Sequence, residues 1–160
     1  MSPFLSKAAE AIENALNIKG LSCSVIELSK SARTAQDAAE SIGCEIRQIV
    51  KSLIFTTKNS EEAVLILASG PNRVNEKTIS KHLGEDIVKA DATQTKRITG
   101  FAIGGIPPIG HQSPIDHVFI DEDLLKFDIV WAAAGTPNAV FNINSKDLVA
   151  ITKAKIISIY

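Results

Sequence analysis

Apolar residues recur at helical spacing in several segments of the chain, and shorter apolar runs separate these segments. The first helix is predicted from Leu5 to Leu16, with Ser2 as its cap, Pro3 in its first turn and Gly20 at its end. A residue with capping chemistry opens each later helical segment, because its side chain can accept a hydrogen bond from a first-turn amide. These segments are predicted at 34–42, 75–83, 91–97 and 145–152.

The predicted strands are short and are separated by turns that contain Gly, Pro or Asn. They lie at 24–28, 50–57, 63–68, 87–88, 117–120, 129–133, 139–143 and 156–159. A polar turn at 58–61 joins two of them as a hairpin. Because strands and helices mix without a regular βαβ alternation, we predict an α+β fold with a curled mixed β-sheet flanked by helices.

Length and composition narrow the class of protein. A chain of 160 residues favours a single domain spanning 1–160. Hydrophobic residues make up 45% and charged residues 22%, which is typical of a globular protein and excludes a disordered chain. The chain has 17 Lys and Arg and 18 Asp and Glu, so it lacks the excess of basic residues that is typical of proteins that bind nucleic acid through phosphates. Any contact with RNA is therefore expected to be local or weak. The absence of a leader pattern and of a long apolar run predicts a cytoplasmic protein.

Metal and cofactor motifs are absent from the sequence. Cys23 and Cys44 have no metal-type spacing, and three histidines are scattered along the chain. The glycines match neither a phosphate-binding loop nor a dinucleotide fingerprint, and no nucleophile elbow is present. We therefore expect neither a metal ion nor a cofactor.

Lys51 is the first candidate for chemistry. It lies in a predicted strand, where alternation places it on the same face as Leu53 and Phe55. Such a lysine either extends its ammonium to water at the end of the strand or points into a cavity, and periodicity leaves both possibilities open. Since Val50 and Ile54 make the opposite face apolar as well, the strand is predicted to be central.

The segment 100–111 has an unusual composition for a loop. It contains four glycines, two adjacent prolines and several apolar residues, and no charged residue precedes His111. Glycine allows a ligand to approach backbone N–H groups closely, as a site for an oxyanion or a carbonyl requires. The alternative is a structural loop that covers the core. A second Gly/Pro turn, at 134–138, by itself favours a plain turn between strands.

Three features occur in a fixed order along the chain. A strand lysine in 50–55 precedes the segment 73–77 (Arg-Val-Asn-Glu-Lys), and the segment 100–110 precedes a strand that ends at Asp121. This combination resembles the YbaK-like family of aminoacyl-tRNA deacylases, which is related to the editing domain inserted in bacterial prolyl-tRNA synthetases. The resemblance runs over nearly the whole chain. It implies a single α+β domain with a barrel-like mixed sheet, acting in trans on the ester between a wrong amino acid and tRNA.

The resemblance also implies roles for individual residues. Lys51 corresponds to the family's site lysine, to which we assign positioning and electrostatic roles rather than that of a general base. The segment 100–111, which we call the glycine loop, is implied to contact the aminoacyl group around Gly104, Gly105 and Ile106. The second Gly/Pro turn, at 134–138, is implied to face the same pocket. This chain has two prolines where the cysteinyl-prolyl-tRNA deacylase branch has Ser-Pro. The predicted substrate-binding residues are Gly104, Gly105, Ile106, Pro107, Pro108, Gly110, His111, Gly135, Thr136 and Pro137.

The predicted function is that of a trans-editing hydrolase that removes a small amino acid, of the Ala, Ser, Thr or Cys class, from mischarged tRNA. The expected partners are the acceptor end of aminoacyl-tRNA and an aminoacyl-tRNA synthetase. The stiff segment 104–108 predicts a pocket of fixed size that sorts side chains by volume. Two alternatives stay open: a non-catalytic module that binds tRNA or a synthetase, and a hydrolase of small esters.

Overall fold

The computed structural model describes residues 5–30, 32 and 34–160. Its helices are α1 (Lys7–Ile18), α2 (Ala35–Ile42), α3 (Glu76–Leu83), α4 (Ala92–Thr99) and α5 (Ser145–Thr152). Its strands are β1 (Val25–Glu27), β2 (Ile49–Thr57), β3 (Ala63–Ser69), β4 (Ile87–Lys89), β5 (His117–Asp121), β6 (Ile129–Ala133), β7 (Ala139–Asn144) and β8 (Lys155–Ile157). Short 3₁₀ helices at Ile46–Gln48 and Glu122–Lys126 precede β2 and follow β5. Over this part of the chain, no helix is long and apolar enough to cross a membrane.

Side-chain caps begin the helices and confirm much of the predicted pattern. The predicted caps of α2, α3 and α4 accept hydrogen bonds from first-turn amides, at Thr34, Asn75 and Asp91. Ser6 caps α1, while Ser2, the predicted cap, and Pro3, predicted in the first turn, lie outside the described residues. The predicted cap of α5 is wrong by one position. Asn144 is the cap, because the Ser145 hydroxyl donates instead to a distant backbone carbonyl.

The eight strands form one mixed sheet, as predicted. Its order is β1-β7-β6-β2-β3-β5-β8, and β4 pairs with β2 outside this path. β3 pairs antiparallel with β2 and parallel with β5, so it lies inside the sheet. Leu65 and Leu67 belong to one apolar cluster, whereas Val64 and Ile66 belong to another. Both faces of the sheet are therefore covered, which explains why this strand is an unbroken apolar run.

β2 changes partner along its outer edge. Ile49 and Val50 pair with β6, whereas Phe55 to Thr57 pair with β4. Among the described residues, no strand pairs with this edge at 51–53. The sheet therefore has a gap beside the middle of one of its central strands.

Gly70 holds the chain close to the 3₁₀ helix that leads into β2. A Cβ atom at this position would lie 2.2 Å from the carbonyl oxygen of Ile46. The preceding Ser69 hydroxyl donates to the carbonyl oxygen of Arg47 at 2.7 Å, so the two segments are bound together at this point. Only glycine permits this approach without a shift of backbone.

We expect Gly70→Ala to lower the free energy of unfolding by roughly 1–3 kcal/mol, because the added methyl group overlaps backbone that must move. Gly20→Ala is the control: its Cβ would meet open space, and only its φ of +85° opposes the change. That strain costs about 1 kcal/mol. Urea unfolding of both variants measures the difference, and a smaller loss for Gly70→Ala than for Gly20→Ala would contradict the steric argument.

Candidate active site

A cavity of about 420 Å³ lies beside the gap in the sheet. Its walls come from β2 at 50–53, from α2, from β6 at 131–133 and from the loop at 103–106. Most of the lining side chains are apolar. The polar side chains among the described lining residues are Thr34, Gln36, Lys51 and Ser52, and none is a carboxylate. The cavity therefore combines apolar walls with a single cationic group.

Lys51 is held at this cavity by a hydrogen bond. Its Nζ donates to the carbonyl oxygen of Asn72 at 2.7 Å, and its side chain is half-buried. Burial lowers the pKa of the Lys51 ammonium, and the positive charges of Arg73 and Lys89 lower it further, whereas Asp121 opposes the shift. The alternative that sequence periodicity left open, an ammonium extended freely to water, does not describe this lysine.

The acceptor of Lys51 is itself fixed by a buried polar network. The Asn72 side-chain amide donates to Asp121 Oδ2 and to Asp123 Oδ2, both at 2.8 Å. Asp121 is fully buried and also accepts from the Ser69 amide at 3.0 Å. Because both partners of the Asn72 amide lie on one short segment, the loop that carries the Asn72 carbonyl has a defined position.

The first half of the glycine loop reaches the same cavity as Lys51. Gly104 and Ile106 line it, and Ile106 is buried. Gly105 instead contacts the second Gly/Pro turn: its carbonyl accepts from the Gly135 amide at 2.9 Å. A Cβ atom on Gly105 would lie 2.8 Å from the Cα of Thr136, so glycine allows the loop and the turn to touch.

The second Gly/Pro turn packs against segments that form the cavity wall. Gly135, Thr136 and Pro137 contact the glycine loop or the segment before α2 and are not part of the cavity wall. The Pro137 carbonyl accepts from the Ala32 amide at 2.7 Å, and Ala32 does line the cavity. The turn and the cavity are thus neighbours, while the binding role predicted for the turn stays a prediction.

The second half of the glycine loop leads away from Lys51. Pro108, Gly110 and His111 line a separate cavity of about 170 Å³, so the expectation that the whole loop faces one pocket is wrong. Gly110 has a φ of +79° and a Cβ there would lie 2.8 Å from Ile12, which places this turn against α1. His111 Nε2 lies 2.7 Å from the Pro107 carbonyl, and in the tautomer that donates this bond it closes the turn.

Sequence reasoning missed four parts of the site. It did not select Ser52, Gly70 or Trp131, which all line the larger cavity. It also treated α2 as an ordinary helix, although the small side chains of Ala35 and Ala38 form one wall. A serine within an apolar strand was a usable signal for the first. The others depend on contacts between distant segments.

Residues 29–151 match the family model described as the aminoacyl-tRNA editing domain. The chain belongs to this family. The mixed α+β fold of this chain is that of a YbaK-like editing domain. Across the described residues, no group of three or more His, Cys, Asp or Glu side chains is placed to hold a metal ion.

Relatives of this editing domain occur as free chains and within larger enzymes. The uncharacterised protein YwhH of Bacillus subtilis (strain 168) is 29% identical over 132 residues, covering 82% of this chain and 83% of YwhH. The proline–tRNA ligase of Limosilactobacillus fermentum is 37% identical over 92 residues, covering 52% of this chain but 16% of the ligase. The crystal structure of a candidate trans-editing enzyme for prolyl-tRNA synthetase is 41% identical, with a TM-score of 0.90 over 97% of this chain and 98% of that one.

We expect His111 to make the stability of the editing domain depend on pH. Burial lowers the pKa of His111, against a weaker opposing effect of its bond to Pro107. The unfolded chain therefore binds a proton more readily than the folded one, and stability falls as the pH drops below about 6.5, the usual pKa of a histidine. His111→Gln keeps a donor for the Pro107 carbonyl but cannot titrate. Urea unfolding between about pH 7.5 and about pH 5 should show a steeper loss for the wild type, and equal slopes would contradict the assignment.

Proposed function

We propose that this chain, as a single domain spanning 1–160, is an aminoacyl-tRNA deacylase that acts in trans. The observation that carries the proposal is the placement of the Lys51 ammonium at an apolar cavity within an editing domain. Such a cavity suits the side chain of an amino acid, and a cation beside it suits the carbonyl and phosphate groups of the acceptor end.

The chemistry requires little of the protein. Water attacks the carbonyl carbon of the ester, and the bond from this carbon to the ribose oxygen breaks. One proton of the water restores the ribose hydroxyl, and the other is lost to solvent as the amino acid leaves with a free carboxylate. An aminoacyl ester is already activated, and a factor of about 10³ in rate corresponds to roughly 4 kcal/mol. Donors aligned on the carbonyl oxygen can supply this amount. Because the described lining residues include no Cys, His, Asp or Glu, the proposal assigns Lys51 to orientation and electrostatic stabilisation.

Positive charges near Lys51 favour a polyanionic substrate. Arg73 and Lys89 lie close enough to Lys51 to lower its pKa, so three cations lie near one another, although only Lys51 lines the cavity. The protein as a whole has a net charge of −1, so attraction for tRNA is concentrated here rather than spread over the surface. We infer that these residues meet phosphates of the acceptor end.

The walls of the cavity favour a small amino acid. Ile106 is buried and stiff at its β-branched carbon, and it lines the cavity together with the short alanine side chains of α2. A rigid apolar pocket excludes large side chains but distinguishes near neighbours by only about 1–3 kcal/mol per methylene. We propose alanyl, seryl, threonyl or cysteinyl esters as substrates, with overlapping rates.

We expect Lys51→Ala to lower kcat/KM for a mischarged tRNA by about 10²-fold or more, because the group that orients and stabilises the ester is lost. Its fold should stay intact, since the side chain is only half-buried. The matched control is Lys58→Ala, which removes an exposed lysine from the turn after β2 and should not change the rate. Deacylation is measured on Ala, Ser, Thr, Cys and Pro esters of several tRNA species, with circular dichroism to check folding.

Near-normal turnover by folded Lys51→Ala protein would contradict the role of this lysine. Wild-type protein that binds tRNA but hydrolyses none of the esters would favour a non-catalytic binding module instead. Hydrolysis of simple esters with no dependence on tRNA would favour a small-ester hydrolase.

Ile106→Ala tests the size of the pocket separately. Removing most of this side chain enlarges the cavity, so the variant should hydrolyse a phenylalanyl ester faster than the wild type, by about 10-fold. Rates on alanyl, seryl, threonyl and phenylalanyl esters of one tRNA provide the measurement. If the wild type hydrolyses all four esters equally, the pocket does not sort by volume.

A further inference from the structure

Ser52 has a polar side chain that the fold leaves without a partner. Its Oγ atom is buried and forms no hydrogen bond with any described residue, and Ser52 lines the larger cavity. Nearly all buried polar atoms in proteins are paired, because an unpaired hydroxyl in a dry environment is costly. After a rotation of this side chain towards the cavity, a ligand there would supply the missing partner.

The backbone of Ser52 also faces the gap in the sheet. The Thr57 amide donates to the Glu62 carbonyl, so odd-numbered residues of β2 direct their backbone groups towards β3. On the other edge, the Ile54 carbonyl accepts from the Ala90 amide beside β4. Even-numbered residues therefore face the outer edge, and Ser52 is the even-numbered residue within the unpaired stretch 51–53.

Ser52 thus offers a carbonyl and an amide on one short stretch of cavity wall, together with a buried hydroxyl that a rotation about its Cα–Cβ bond would turn towards the cavity. Lys51 is its neighbour, but its side chain leaves the opposite face of the strand. An aminoacyl ester carries an α-amino group, which needs acceptors and is repelled by a cation, and an ester carbonyl, which needs donors. Since no carboxylate is among the described lining residues, neutral acceptors must hold the amino group.

We propose that Ser52 binds the α-amino group of the substrate, with its carbonyl oxygen and Oγ accepting two of the N–H bonds. This inference rests on the proposed deacylase function. Two neighbouring residues of one strand then have different roles. Lys51 interacts with the ester and with the nucleotide of the acceptor end, and Ser52 binds the nitrogen of the amino acid. The recognised chemical class is an acyl ester with a free α-amino group.

The test compares two esters of the same tRNA, alanyl and propionyl, because propionate has the carbon skeleton of alanine without its nitrogen. Ser52→Ala should lower kcat/KM for the alanyl ester by about 10- to 100-fold, the range for a hydrogen bond to a charged group. On the propionyl ester it should change the rate by less than about threefold. Thr56→Val is the matched control, since Thr56 lies on the same face of β2 outside the cavity.

A stability measurement separates this role from a structural one. Removing a buried hydroxyl that has no partner should leave the thermal midpoint of Ser52→Ala unchanged or higher. A variant that is as stable as the wild type, yet slow on the alanyl ester alone, supports the proposal. Equal losses on both esters, or no loss on either, overturn it. A wild type that hydrolyses neither ester refutes the deacylase function itself, which is a different result.

Discussion

The pairing of β2 with β3 is the constraint on which the rest of the structure depends. It runs from Val50 opposite Ser69 to Thr56 opposite Ala63 and leaves 64–68 almost inaccessible to water. Because β3 occupies one edge of β2, backbone groups of β2 can meet a ligand only along its other edge. The change of partner from β6 to β4 opens that edge at one place, and the cavity lies there.

Polar contacts at the end of β3 connect the pairing of β2 and β3 to the position of the Lys51 ammonium. The buried Asp121 carboxylate accepts from Ser69 and Asn72, and Asn72 in turn accepts from Lys51. Truncating Asn72 would remove one donor from the fully buried Asp121 carboxylate, which is costlier than the loss of an exposed ion pair. Lys51 therefore has a defined position because the loop beside it is specified by the core, not by its own strand.

Local signals predicted most of the fold. Capping residues, turn residues and apolar periodicity act within a few positions, so helix starts and the β2–β3 hairpin could be inferred. The direction of Lys51 could not, because its acceptor lies 21 residues away. His111 is the last residue of the glycine loop, and sequence alone therefore suggests that it lines the same cavity as Lys51. The packing of Gly110 against Ile12 of α1 instead places His111 at the smaller cavity. Alternation reveals the face of Ser52, whereas the missing edge partner is a property of the whole sheet.

The alternation of Lys51 and Ser52 along β2 connects the candidate site to strand register. A slip of β2 by a single residue would exchange the faces of these two side chains and turn the apolar residues of one cluster towards the other. The ammonium would then enter the larger apolar cluster, at a high desolvation cost. A chain that has misregistered during folding is thus both unstable and without an assembled site.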